Sequence, residues 1–156
     1  MPVRLPHSDT ILLTQKEPVR YVLPVSQVAD LDARVIRSSS GTLRIPELGV
    51  DIEPGYASES YISNVEGVLD RVEGVVGFAT RSAREAGSQE ATEKGEEILE
   101  KIALAREGRF SLTLILEDPL GNSAIDCEKA IKSSLSAEDA ASLKTGMIIV
   151  DVSGEP

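Results

Sequence analysis

Aromatic residues are scarce, at 3% of 156 residues, and tryptophan is absent. The core must therefore be aliphatic, and base-stacking platforms for nucleic acid are poorly provided for. Cysteine and histidine occur once each, as Cys127 and His7. A lone cysteine forms no internal disulfide, which suits a reducing compartment, so the cytoplasm is the expected location. A four-cysteine zinc site cannot be assembled, and a metal-binding barrel normally needs two or three histidines plus a carboxylate. No stretch reaches the roughly 18 apolar residues of a membrane span. The opening MPVRLPHSDT lacks the apolar core and cleavage site of a secretory signal. Basic residues are in deficit, with 16 Lys and Arg against 26 Asp and Glu, for a net charge of −10. A field of that sign repels phosphate and argues against a nucleic-acid partner.

The remaining composition is that of one ordinary globular domain. Hydrophobic residues make up 41% and charged residues 27%, over a length that can bury a core. Residues 10 to 56 read as strands. TILLT (10–14) and VRYVLPV (19–25) are short apolar runs, and Pro24 suggests an edge or a bend. Leu31, Ala33 and Val35 alternate with Asp32 and Arg34. Leu43 and Ile45 alternate with Thr42 and Arg44, and Leu48, Val50 and Ile52 oppose Asp51 and Glu53. A period of two means one buried face and one wet face.

The period changes at residues 63 to 107. Ser63 with Glu66 three residues on has the form of a capping box. Val65, Val68, Leu69, Val72, Val75, Val76 and Ala79 then recur at helical spacing. Gly67, Gly74 and Gly77 weaken this helix or mark close packing. Gly87-Ser88 breaks the pattern. A second helix follows, with Ala91, Ile98, Leu99, Ile102 and Ala105 on one stripe and Gly108 as its stop. The pair predicts a helical hairpin, whose glutamate-rich Glu85–Glu100 stretch reads as a solvated face.

Strand character returns at residues 109 to 152. Phe110, Leu112, Leu114 and Leu116 alternate with Ser111, Thr113 and Ile115. Asp118-Pro119-Leu120-Gly121-Asn122 is a turn, with Asp and Asn bonding their own backbone. SAI (123–125) is a short strand, Ser136 and Asp139 cap a short helix ending near Gly146, and MIIVDV (147–152) is a last strand. Strands, hairpin, strands, with no βα alternation, predict an antiparallel sandwich or barrel carrying a helical insertion.

Catalytic chemistry finds little support. His7 has no nearby second ligand and reads as a surface residue. Cys127 sits between Asp126 and Glu128, which raise rather than lower a thiol pKa, so it reads as structural. Nucleophile-elbow, phosphate-loop and dinucleotide motifs are missing. Glu117 and Asp118 end a strand beside a glycine turn, a frequent place for function, but no second group with a separated pKa accompanies them. The chain is expected to be no enzyme and to need no cofactor.

Four blocks together resemble the core domain of the ZPR-type zinc-finger family. They are SSSGTLRIPELGVDIEPG (38–55), ISNVEGVLDRV (62–72), LEDPLGNSAI (116–125) and LKTGMIIVDV (143–152). The similarity is to short archaeal members and covers residues 17 to 152. It implies a double-stranded β-helix, jelly-roll-like, with the helical hairpin at about 63–107 inserted between its halves. Family members carry two C-x-x-C pairs before this domain. Here residues 1–16 resemble only a remnant of that zinc ribbon, with both pairs absent. Eukaryotic members are chaperones and binding partners of translation elongation factor one-alpha, and have been described as binding a growth-factor receptor tail.

The resemblance implies a protein-binding module, with elongation factor one-alpha as the partner. The alternative is a metal-free small-molecule-binding jelly-roll barrel. The inserted hairpin is the expected contact surface. Val65, Leu69 and Val72 share one line and read as core. Val68, Val75 and Phe78 are displaced from it and are the partner-binding candidates. Asp118 and Asn122 of the DPLGN turn are the secondary candidates.

Overall fold

The computed structural model describes residues 17–54 and 61–143. His7 and the expected strands TILLT and MIIVDV lie outside that range. Among the described residues the strands are β1 (Val19–Val25), β2 (Arg34–Arg37), β3 (Thr42–Ile45), β4 (Val50–Ile52), β5 (Tyr61–Asn64), β6 (Leu112–Asp118), β7 (Ala124–Asp126) and β8 (Ile131–Ser134). They form two antiparallel sheets, ordered β4-β3-β6-β1-β8 and β5-β2-β7. The arrangement is jelly-roll-like, mainly β with a helical insertion, and its sheets do not close. The hairpin comprises α1 (Val65–Glu85) and α2 (Gln89–Arg106), and α3 (Ala137–Ala141) follows β8.

Period-two alternation places the core. Leu112, Leu114 and Leu116 of β6 point inward to meet Leu23 and Val25 of β1, Leu43 and Ile45 of β3, and Val35 and Ile125 of the smaller sheet. Pro24 is opposite Thr113 of β6, whose amide turns away to Glu47, and lies beyond Val22, the last β1 residue paired with β8, so its missing N–H breaks no ladder bond.

The alternation at Leu31–Val35 is not one continuous strand. Val28–Asp32 is a 3-10 helix, and β2 begins at Arg34. The buried Asp30 carboxylate accepts the Ser26 and Gln27 amides at 2.9 Å each, and Lys129 Nζ at 2.7 Å. This local bonding competes with strand pairing. β5 and β8 have no sequence signature. β8 is exposed along its whole length, so there is no buried face to impose alternation.

The cap of α1 is Asn64, not Ser63. Asn64 Oδ1 accepts the Gly67 amide at 2.8 Å, while Ser63 is engaged in β5 opposite Val35. Glycine is required at 67 because a Cβ there would stand 2.0 Å from Ser63 Oγ. Gly74 is different, since an added Cβ meets nothing within 4 Å. Close packing between the two helices occurs instead at Gly95. A Cβ at that position would lie 1.9 Å from Oγ1 of the buried Thr80. Ala86, Gly87 and Ser88 join the helices, with Gly87 at φ 79° and the Ser88 side chain capping α2.

The hairpin is not independent of the β core. Val65, Val68, Leu69 and Val72 of α1 and Ile102 and Ala105 of α2 belong to the same buried cluster as the strands. The hairpin's base is therefore part of the scaffold, and its far end projects from it.

Candidate protein-binding face

The DPLGN turn is a buried knot. Gly121, at φ 71°, closes it by donating to the Asp118 carbonyl at 3.1 Å. The Asp118 side chain is fully buried and accepts five hydrogen bonds. Ser40 Oγ (2.6 Å) and the Leu120 amide (2.8 Å) bond Oδ1. Ser38 Oγ (2.9 Å), Ser123 Oγ (2.6 Å) and the Asn122 amide (3.1 Å) bond Oδ2. Burial works against the charged carboxylate, but the donors from Ser123, Ser40, Leu120 and Ser38 outweigh it and hold its pKa below the usual range. A carboxylate so saturated cannot meet a partner, which corrects its selection as a contact residue. Asn122, one of its donors, remains exposed.

Glu117 is buried on the opposite face of β6, between Arg20 at 2.6 Å and Arg44 at 2.8 Å. These pairs tie β1 and β3 to β6, and the carboxylate is fully engaged.

The hairpin candidates separate by burial. Val68 is fully buried in the core cluster, so its selection as a groove residue is corrected. The first hairpin helix packs against α2, β5 and the Val28–Asp32 3-10 helix, and Val68 belongs to the buried cluster they share with the strands. Val75 and Phe78 are 70% and 66% exposed. With Arg71 they stand at i, i+4 and i+7, one stripe along α1.

That stripe leads to a feature the sequence reading missed. Arg37 of β2 is only 5% exposed. Its Nε donates to the Gly41 carbonyl at 2.9 Å, and its Nη2 has no hydrogen-bond partner. The Tyr61 hydroxyl is likewise buried and unpartnered. The Tyr61 ring is flanked by Arg71 at 4.1 Å and Arg37 at 5.7 Å from its centroid. Two depressions share Arg37 and Tyr61. One, of about 320 Å³, runs to Val72, Val75 and Val76 of α1. The other runs to Ser38, Ile62 and Asn122. The exposed hairpin stripe and the exposed end of the DPLGN turn thus flank one Arg-Tyr pair. Only the phase of Arg37, opposite Tyr61 across β2 and β5, could have signalled it.

Residues 29–144 match the ZPR1 jelly-roll domain. The chain belongs to the ZPR1 family. A ZPR1-like protein of Methanocaldococcus jannaschii is 44% identical over 145 residues, 93% of this chain and 72% of that protein. A ZPR1-like protein of Pyrococcus horikoshii is 40% identical over 144 residues, 92% of this chain and 65% of its own length. The zinc finger chaperone zpr1 of Schizosaccharomyces pombe is 31% identical over 105 residues, 67% of this chain but 23% of that protein. Each relative is longer than the part aligned, and the fission-yeast protein much longer. Among the described residues, no three His, Cys, Asp or Glu side chains are grouped to hold a metal, and no helix is long and apolar enough to cross a membrane.

Proposed function

We propose that this ZPR1-family domain is a non-enzymatic, cytoplasmic protein-binding module that engages translation elongation factor one-alpha as a chaperone-type client. The reading is carried by one observation: Val75 and Phe78, both large and apolar, stand exposed on a helix whose other apolar residues at its base are core. Isolated exposed apolar residues need no explanation, but two on one stripe beside an apolar groove mark a contact surface. The name of the fission-yeast relative, a zinc finger chaperone, supports the class of function. The choice of elongation factor rests on the family resemblance of the sequence blocks. Exposed Asn122 lies across the Arg37–Tyr61 pair and borders the same face.

A ligand-holding barrel has less support. The space between the sheets is occupied by Leu23, Val35, Leu43, Leu114, Leu116 and Ile125, all buried.

The test is capture of purified elongation factor one-alpha by the full chain and by the double variant Val75→Asp/Phe78→Asp. Both positions are exposed, so the variant should keep its circular dichroism spectrum while affinity falls about tenfold or more. Undiminished capture would remove the hairpin stripe from the interface. No capture by the parent chain would remove the elongation factor as the partner. Replacing residues 65–106 with a short loop is unsuitable, because it deletes six side chains of the core.

A further inference from the structure

We infer that the Arg37–Tyr61–Arg71 groove is a receptor for an acidic side chain on an extended segment of the partner protein, with an apolar neighbour seated beside it. The inference rests on the reading of this face as protein-binding, and it specifies the chemistry recognised there. A guanidinium is a permanent cation, and burying one without a counter-charge is costly. Arg37 is buried, and among the described residues no carboxylate pairs with it. Gly41 satisfies its Nε, whereas the buried Nη2 has no hydrogen-bond partner, and Arg37 lines both depressions. The Tyr61 hydroxyl is a second buried, unused donor on a residue that lines both depressions. Arg71, stacked on the Tyr61 ring, adds positive charge at the mouth.

One carboxylate satisfies these groups at once. It accepts from Arg37 Nη2 and from the Tyr61 hydroxyl, two charge-assisted bonds of the stronger kind. The remaining wall is aliphatic, formed by Val50 and Ile52 of β4 and by Val72, Val75 and Val76 of α1. It fits the side chain next to the acidic one. Asp51 also lines the groove, and with the net charge of −10 it disfavours a dianionic phosphate over a single carboxylate. Val75 both lines the groove and belongs to the exposed stripe, which suits a polypeptide rather than a small isolated acid.

The probe is the blocked peptide acetyl-Val-Glu-Val-amide, with its Gln twin as control. Both are titrated into the full chain and followed by the NMR signals of the Tyr61 ring and the arginine Nε–H groups. The Glu peptide should bind about tenfold or more tightly than the Gln peptide, the value of one charge-assisted hydrogen bond. Tyr61→Phe removes a single unpartnered oxygen, leaves the fold intact and should weaken the Glu peptide by a similar factor. Arg71→Gln should weaken it less. Arg37→Met should abolish the discrimination, and if that variant does not fold, Tyr61→Phe carries the test alone. Equal binding of the two peptides, binding of neither, or displacement of the Glu peptide by inorganic phosphate at lower concentration would overturn the inference. Peptide discrimination that persists when the Val75→Asp/Phe78→Asp variant still captures elongation factor would leave the groove standing and remove the stripe.

Discussion

Ser40 Oγ donates a 2.6 Å hydrogen bond to Asp118 Oδ1 across 78 residues of sequence. This bond explains why SSSG and DPLGNS belong together. The serines supply donors, the aspartate collects them, and glycine is needed at 41 because a Cβ there would press to 2.6 Å from Ser123 Oγ. Two of the four blocks that carry the family resemblance thus form one polar staple.

Asp118→Asn should lower stability at neutral pH by roughly 2–4 kcal/mol, since an amide turns a donor toward hydroxyls and amides that are themselves donors. The folded pKa of Asp118 is depressed, so its contribution is complete above the unfolded value of about 4 and is lost as pH falls through the folded value. Urea denaturation from pH 7 to pH 2 should therefore show parent and variant converging below about pH 4. Asp30 loses stability in the same acid window, because Lys129 and the Ser26 and Gln27 amides overcome its burial and hold its carboxyl low as well. Subtracting the variant's curve isolates Asp118. A constant gap down to pH 2 would show that its charge is not what holds the knot.

Glycines of the hairpin should respond in opposite directions. Gly95→Ala forces Thr80 aside and should cost about 1–3 kcal/mol. Gly74→Ala meets open space within a helix and should stabilise by up to about 1 kcal/mol. Thermal melts of the two variants test this, and a loss at Gly74→Ala would mean that position 74 touches something in solution.

Leu114→Ala should cost roughly 2–5 kcal/mol, because Leu114 is buried in the central strand of the larger sheet, opposite Leu23. A loss well under 1 kcal/mol in chemical denaturation would place the wrong face of β6 inward.

The 156-residue chain should bind less than one equivalent of zinc. One cysteine and one histidine fall short of four ligands. Elemental analysis giving one zinc per chain would require ligands shared between molecules.

Sequence periodicity by itself determined the strand–hairpin–strand order, the inward face of β6 and the DPLGN turn, because each depends on neighbours two to four residues apart. The base of α1 was legible in part. Val65, Leu69 and Val72 follow one line, but Val68 and Val75 are both valines displaced from it, and only docking distinguishes them. Val68 lies near the start of α1 within the core cluster, and Val75 stands about two turns further along the same helix, exposed. Arg37 was hidden for a related reason. A charged residue in a strand reads as solvent-facing, and nothing local says that its guanidinium lies buried against Gly41 and Tyr61. β8 gave no signal because a strand exposed along its whole length needs no apolar alternation, only the edge of β1 to pair with. Local hydrogen bonding and burial period are encoded along the chain. Which of several apolar faces is covered, and which buried cation lacks an anion, is decided only when distant elements meet.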